Sequence, residues 1–132
     1  MTAALRPYAL AALLLAGCIS APVDDPVKTA EITLLPGTDA ALSRTVSLRF
    51  DSIADSRCPA NVHCIWAGSV AYHFTLHSLK GKEGMRLEVG GAFNSANLRG
   101  LRIALAVALP GPVQAMGVKA PPHPVALSIS RF

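Results

Sequence analysis

Hydrophobic and polar residues alternate with a period of two through most of the chain after residue 30. The pattern is clearest from Val70 to Leu76, where every second residue is large and apolar and His73 and Thr75 fall between. Successive side chains of a β-strand point to opposite faces, so this pattern predicts strands that bury one face. The apolar positions of the predicted strands are Ile32, Leu34, Val46, Leu48, Phe50, Val70, Tyr72, Phe74, Leu76, Met85, Leu87, Val89, Leu101, Ile103, Leu105, Val107, Leu109, Val125, Leu127 and Ile129.

Turn signals separate these apolar runs, and no helical stripe longer than two turns competes with them. Pro36-Gly37 and Pro110-Gly111-Pro112 interrupt the alternation, and a longer loop is predicted around Phe93. The run 101–109 is rich in alanine, but its strict alternation favours a strand over a helix. We therefore predict a single all-β domain over residues 30–132, an antiparallel β-sandwich of about six to seven short strands.

The first residues carry a different pattern, an apolar run that is too short to span a membrane. The run 8–16 follows one basic residue, Arg6, and ends in Leu15-Ala16-Gly17-Cys18. A spanning helix needs roughly 20 apolar residues, whereas a signal-peptide core needs about 7–15. The tetrapeptide resembles a bacterial lipobox, in which the cysteine is acylated and becomes the first residue after cleavage. We predict a lipoprotein signal peptide over residues 1–17 and lipidation of Cys18, with an ordinary secretory signal as the alternative.

The segment that follows the lipobox is predicted to be a flexible tether, residues 18–29, which begins with the lipidated cysteine. It contains two prolines and the acidic pair Asp24-Asp25, which we interpret as solvating residues rather than a metal site. Acyl chains on Cys18 contribute about 0.8 kcal/mol per buried CH₂, so the predicted partner is the lipid membrane. Ile19 stands where an aspartate favours the inner membrane in bacterial sorting. The predicted location is therefore the outer membrane, facing the periplasm, in a cell that has one.

Basic residues outnumber acidic ones only slightly. The chain has 12 Lys and Arg against 8 Asp and Glu, and the basic residues are dispersed. They do not interleave with aromatic residues, which argues against nucleic acid as a partner. A soluble surface with a modest net charge explains the balance.

Two of the three cysteines, Cys58 and Cys64, close a short ring that we call the cystine loop, residues 58–64. An exported protein meets oxidising conditions, and once Cys18 is acylated only these two thiols remain, so we predict a disulfide between them. A ring of this size contributes roughly 2 kcal/mol in the loop-entropy model. Trp66 lies two residues beyond the ring, and we expect it to pack in the core beside the disulfide. Gly68 is expected to permit a bulge or a close backbone approach.

The residues before the ring have a predicted structural role. Asp55 is expected to cap the turn, and Arg57 is expected to pair with Asp55 or with Asp51. The whole string, Asp-Ser-Arg-Cys-Pro, four variable residues, Cys, one variable residue and Trp-Ala-Gly, occupies residues 55–68. It resembles a group of small bacterial secreted proteins and lipoproteins whose shared segment has no assigned activity. The resemblance extends loosely across the domain, implies an envelope β-domain and supplies no catalytic residue.

Residue spacing gives little support to metal or catalytic chemistry. The cystine loop has one further candidate ligand, His63, but no second ligand pair for zinc, and oxidised cysteines do not bind metals as thiolates. His73 and His77 lie about 13 Å apart on one strand at about 3.3 Å per residue, and His123 can join them only through tertiary folding. Neither a C-x-x-C redox motif nor a G-x-S-x-G elbow occurs. We predict no metal, no cofactor and no enzymatic activity.

Two functions remain for such a domain. The first is a membrane-anchored envelope lipoprotein with a non-catalytic binding or structural role and an unidentified partner. The second is a protease-inhibitor-like or other protein-binding role of the cystine loop, because a rigid closed loop loses little entropy on binding. A ring that only staples a turn is the simpler interpretation. The binding alternative predicts Ala60, Asn61, Val62 and His63 as the exposed contacts.

Overall fold

The structure is a computed structural model that describes residues 17–132, so all but the last residue of the predicted signal peptide lies outside the described residues. The described chain forms eight β-strands and no helix. Accordingly, residues 17–132 hold no helix with the length and apolarity needed to cross a membrane. The strands are β1 (Ala30–Leu34), β2 (Asp39–Ala41), β3 (Ser47–Asp55), β4 (Val70–Ser78), β5 (Gly81–Leu87), β6 (Ala92–Asn94), β7 (Leu101–Ala108) and β8 (Val125–Arg131).

The strands form two antiparallel sheets of four strands each. One sheet has the order β1-β8-β7-β6 and the other has the order β2-β3-β4-β5. In the second sheet, Leu48 of β3 pairs with Leu76 of β4, and Phe50 pairs with Phe74, so the apolar positions of the two long strands coincide. The predicted antiparallel β-sandwich is confirmed, with eight strands where about six to seven were predicted.

The core lies between the sheets and consists of the alternating apolar positions. Phe50 stacks on Phe74 with ring centroids 4.7 Å apart, and the ring of Tyr72 lies 6.1 Å from that of Phe50. Burial of each such side chain contributes about 1.5–3 kcal/mol. The opposite sheet contributes the fully buried residues Leu101, Ile103, Leu105, Val125, Leu127 and Ile129.

A β-bulge in β7 changes which residues face the core. The register shifts between Leu105 and Val107, so Ala106 is an extra residue in this strand. An inserted residue reverses the faces of everything that follows it. Ala108 is therefore buried, whereas Val107 and Leu109 are 50% and 79% exposed. The prediction that Val107 and Leu109 share the core face was wrong for this reason.

Three further local predictions differ from the structure. Phe93, placed in a loop by the sequence, lies in β6 and pairs with Ile103. Ala40 lies in β2 and pairs with Leu48, although no strand was predicted there. Strands of three residues are too short to display a period of two, which explains both omissions. Val89 lies beyond the end of β5 and is 56% exposed, so its predicted core position was wrong.

The predicted tether is docked on the domain before β1 begins. Val27 is 5% exposed and belongs to the core cluster. The Asp24 Oδ1 atom accepts a hydrogen bond of 2.8 Å from the backbone N–H of Leu79. The prediction of a flexible tether is therefore wrong for residues 24–27, which bind the domain, and for residues 18–23 it stays a prediction.

The second acidic residue of this pair is also bound to the domain. Asp25 forms an ion pair of 2.8 Å with Arg44, and its backbone N–H donates to Thr45 Oγ1. The acidic pair is therefore not merely solvating, because its partners come from turns that lie far away in the sequence. These contacts define one end of the sandwich, which we call the anchor end: the loop 42–46, the turn 79–80, the loop 95–100, residues 131–132 and the docked segment 24–27.

Candidate functional site

The end of the sandwich opposite the anchor end, which we call the distal end, carries the cystine loop. The loop follows β3 and precedes β4, and β4 then runs nine residues to the anchor end, a length of about 30 Å. Cys58 and Cys64 form a disulfide with their Cα atoms 5.7 Å apart, so the predicted disulfide is confirmed. The distal end also carries the segment 109–124 between β7 and β8, which we call the connector.

The connector is bound to the cystine loop and to the turn before it. The cystine loop and the turn before it contribute two side chains and one backbone N–H, and the connector contributes backbone groups, across separations of more than fifty residues along the chain. This pairing fixes the position of a proline-rich segment that has no strand of its own. The hydrogen bonds run from Arg57 Nη1 to the Gly111 carbonyl (3.1 Å), from the Ala60 N–H to the Gln114 carbonyl (3.0 Å) and from the Met116 N–H to Asn61 Oδ1 (2.9 Å).

The same contacts occupy part of the candidate binding loop. The Ala60 N–H and the Asn61 side chain both bind the connector, although both residues are exposed. Val62 is half-buried, and His63 is exposed. Of the two polar side chains among the predicted contacts, that of Asn61 accepts from the connector, whereas that of His63 is exposed and forms no hydrogen bond in the described part of the chain.

Asp55 and Arg57 form a close pair at the base of the cystine loop. Arg57 Nη2 lies 2.7 Å from Asp55 Oδ2, and Arg57 Nε and the Arg57 backbone N–H each donate to Asp55 Oδ1 at 3.0 Å. The side chain of Arg57 is 22% exposed, and that of Asp55 is 26% exposed. Asp51, the other partner considered for Arg57, instead lies 3.4 Å from Arg49 and accepts a hydrogen bond from Thr75. The structure therefore places Arg57 on Asp55.

The hydrogen bonds from Arg57 hold the pKa of the Asp55 carboxyl below its usual value, although partial burial acts in the opposite direction. The same hydrogen bond raises the pKa of the Arg57 guanidinium. A carboxylate with a lowered pKa stabilises the folded state above its unfolded pKa of about 3.9 and loses that contribution as the pH falls through the folded value. Acid therefore weakens the contact between Asp55 at the end of β3 and Arg57, which also donates to the Gly111 carbonyl of the connector.

We expect Asp55→Asn to lower the free energy of unfolding by about 1 kcal/mol at pH 7, the usual value for a partly exposed charged hydrogen bond. As the pH falls below the unfolded value of about 3.9 and through the lower folded value, the difference from the wild type should shrink, because the native carboxyl becomes protonated. Thermal unfolding between pH 2 and 7, followed by circular dichroism, measures both effects. The control is Asp39→Asn, which removes a more exposed carboxylate that pairs with Arg49. If Asp55→Asn and the wild type lose stability in parallel as the pH falls, the pair does not act as described.

A cleft of about 560 Å³ opens between the end of β3, the cystine loop and the connector. Its polar lining includes Asp51, Arg57 and His123, and its apolar lining includes Ile53 and Met116. The volume falls within the range of about 300–1,000 Å³ that is typical of ligand pockets.

His123, which lines the cleft, contacts the buried side chain of Tyr72. Tyr72 Oη lies 2.8 Å from His123 Nε2, and the two rings meet edge to face with centroids 5.5 Å apart. Burial raises the pKa of Tyr72, so its hydroxyl stays protonated at neutral pH and acts as a hydrogen-bonding group. Tertiary folding thus gives His123 a tyrosine partner. Within residues 17–132, no three His, Cys, Asp or Glu side chains come together as metal ligands.

Trp66 lies on the surface, contrary to the expectation that it packs in the core. Its exposure is 78%, and that of its neighbour Ile65 is 90%. The expectation extended strand geometry through residues 64–67, but these residues are not in a strand, so side chains do not alternate between core and solvent there.

Large apolar side chains of the connector are exposed at the same end. We call the five residues the distal apolar residues: Ile65, Trp66, Leu109, Met116 and Val118.

Gly68 allows the chain to return from the cystine loop to β4. Its φ is 70°, and a Cβ atom there would overlap the carbonyl oxygen of Ser56. The Ser56 N–H donates to the Ser69 carbonyl at 2.9 Å, and the Ser69 N–H donates to Ser56 Oγ at 3.1 Å. The close backbone approach expected at Gly68 is therefore present.

Comparisons with models of protein families, with curated proteins and with solved structures found no match. The site therefore has to be interpreted from its own geometry.

The structure brings most of the predicted site residues to the distal end and leaves one apart. Asp55, Arg57, Trp66 and Gly68 surround the cystine loop, whereas the lipidation candidate Cys18 is exposed in the segment that leads away from the anchor end. The sequence pattern does not show that the connector belongs to the site. Its many prolines indicated an extended segment but carried no signal for what that segment touches.

Proposed function

We propose that this protein is a membrane-anchored lipoprotein of the cell envelope and that its distal end binds an envelope partner without catalysing a reaction. One observation carries the proposal: the segment from Cys18 docks at the anchor end, and the cleft and distal apolar residues lie at the opposite end. An anchored domain of this shape holds one end near the bilayer and presents the other to the periplasm.

Chain lengths support this arrangement. Six peptide units separate Cys18 from the docked Asp24, a reach of about 20 Å when fully extended. The sandwich adds about 30 Å along β4. The distal cleft can therefore stand clear of the headgroups and remain tethered to the membrane.

The surface chemistry of the distal end supports binding. Trp66 is exposed at this end, and tryptophan is typical of the residues that dominate interface energetics. The disulfide and the hydrogen bonds to the connector hold this surface rigid, so a partner orders little of it on binding. The charged groups Asp55 and Arg57 already pair with each other, and Tyr72 pairs with His123, which supports a binding role over a catalytic one.

The alternative function, a protease-inhibitor-like cystine loop, has less of the loop available. The backbone of Ala60 and the side chain of Asn61 are held by the connector, and inhibitory loops need their contact residues free. Binding by the wider distal surface, which includes Trp66, uses side chains that are exposed. We therefore favour the distal surface over the loop tip.

The test uses intact cells that produce the full chain, with a photo-reactive amino acid at Ile65. We expect palmitate incorporation that is lost in Cys18→Ala, and a discrete crosslinked partner whose yield falls about tenfold or more in Trp66→Ala. Trp66 is exposed, so this variant should fold normally. The control places the same probe at Lys82 on β5.

Two outcomes contradict the proposal separately. Palmitate that persists in Cys18→Ala refutes the anchor. Equal crosslinking from Ile65 and Lys82, or a yield that does not respond to Trp66→Ala, refutes binding at the distal end.

A further inference from the structure

The anchor end has a surface composition of its own. Lys80, Arg99 and Arg131 line a recess of about 200 Å³ together with the docked segment. None of the three forms an ion pair in the described part of the chain, and Lys80 Nζ donates only to the Asn97 carbonyl. These basic groups are therefore available to bind anions.

The acidic groups at this end are already engaged. Asp25 pairs with Arg44, and Asp24 accepts from the Leu79 N–H. The Glu83 carboxylate accepts hydrogen bonds from the Ser95 hydroxyl and from the Ala96 N–H. These hydrogen bonds hold the loops of the anchor end in place. Asp24 and Glu83 form no ion pair among the described residues, and Asp24 Oδ2 has no hydrogen-bond partner, so the three unpaired basic groups outnumber these two carboxylates.

Exposed apolar side chains lie among these basic groups. Leu79 is 50% exposed, Val23 is 81% exposed and Phe132 is 81% exposed. The Phe132 N–H donates to the Gly100 carbonyl, which places the backbone of Phe132 at the loop that contains Arg99. Aromatic and leucine side chains flanked by lysine and arginine are typical of surfaces that lie in the interface between lipid headgroups and acyl chains.

The position of Cys18 identifies the occupant of this surface. The segment between Cys18 and Asp24 reaches at most about 20 Å, so a lipidated cysteine keeps the anchor end close to the headgroups. At such a high effective concentration, weak contacts suffice to hold one orientation. Anionic headgroups carry the phosphate chemistry that lysine and arginine bind.

We propose that the anchor end lies against the bilayer, with Phe132 and Leu79 among the headgroups and with Lys80, Arg99 and Arg131 on the phosphates of anionic lipids. The inference rests on the proposed lipid anchor and adds an orientation to it. The domain stands upright on the membrane, and its distal cleft points away from the lipid.

The test measures fluorescence quenching by brominated acyl chains in vesicles of phosphatidylcholine and phosphatidylglycerol. The processed protein is purified from membranes of cells that produce the full chain and is reconstituted through its own anchor. Trp66 is the only tryptophan and lies at the distal end, so the wild type should show almost no quenching. A Trp66→Phe/Phe132→Trp reporter should lose about half of its fluorescence or more.

Charge variants test the basic groups in the same reporter. Lys80→Glu/Arg99→Glu should abolish the quenching. The control Arg86→Glu/Lys119→Glu makes the same change in net charge away from the anchor end, at one residue paired with Glu88 and one in the connector, and should leave the quenching unchanged. In vesicles of phosphatidylcholine alone, the quenching of the Phe132→Trp reporter should also be lost.

An unquenched Phe132→Trp reporter in protein that carries palmitate overturns the orientation and leaves the anchor standing. Quenching of Trp66 in the wild type also overturns it. Protein without palmitate overturns the proposed function itself, so the two failures are distinguishable.

Discussion

Replacing Gly68 with alanine is expected to lower the free energy of unfolding by about 3 kcal/mol, a large fraction of the 5–15 kcal/mol typical of a domain. A positive φ costs an alanine about 1–2 kcal/mol. The new Cβ atom also overlaps the Ser56 carbonyl oxygen, so the backbone must move apart where the cystine loop meets β4. The pairing between Ser56 and Ser69 is expected to be lost with it. Equilibrium unfolding in urea measures the change.

Two other glycines of this chain separate the cost of the positive φ from the cost of the overlap with Ser56. Gly37 has a φ of 81° but open space around it, so Gly37→Ala should show the backbone cost alone, about 1 kcal/mol. Gly84 has open space and no positive φ, so Gly84→Ala should be nearly neutral. If Gly68→Ala costs no more than Gly37→Ala, the close approach to Ser56 contributes nothing to stability.

The fold was largely predictable because the core follows a rule that is visible in the chain. Tyr72, Phe74 and Leu76 alternate with polar residues, and each is buried. The disulfide was predictable from the predicted signal peptide and from the number of free thiols. Both inferences depend on local pattern or composition, which the sequence displays directly.

The bulge in β7 could not be predicted from the same pattern. Ala104, Ala106 and Ala108 are chemically identical, so nothing in the residues shows which alanine is the extra one in the strand. The register is decided by pairing with β8, where Val107 meets Ala126. An alternation rule therefore holds only up to the first inserted residue.

The site was less predictable than the core because its contacts join distant segments. Arg57 and Gly111 are separated by 54 residues, and Asp24 and Leu79 by 55. A polar side chain in a turn can satisfy any nearby backbone group, so its residue type does not identify its partner. The exposure of Trp66 was missed for a related reason: a segment without strand pairing does not obey strand periodicity.

Removing the disulfide with Cys58→Ser/Cys64→Ser is expected to lower the free energy of unfolding by about 2–3 kcal/mol. A more specific result is expected in the connector, because the cystine loop supplies the Ala60 N–H and the Asn61 side chain that hold it. Without the ring these donors and acceptors are no longer kept in position, so the connector should open far more often than the rest of the sandwich.

Trypsin cleavage detects opening of the connector at a single peptide bond, because Lys119 is the one lysine or arginine within the connector. In the double serine variant, cleavage after Lys119 should be about tenfold faster or more under native conditions, while sites within the paired strands stay protected. The wild type treated with a reductant should behave in the same way, and Cys18→Ser should behave like the untreated wild type. Intact-mass measurement identifies the bond that is cut. If cleavage after Lys119 is unchanged while unfolding in urea shifts as expected, the ring stabilises the fold without holding the connector. The rigid distal surface would then depend on the Asp55–Arg57 pair and its hydrogen bond to Gly111.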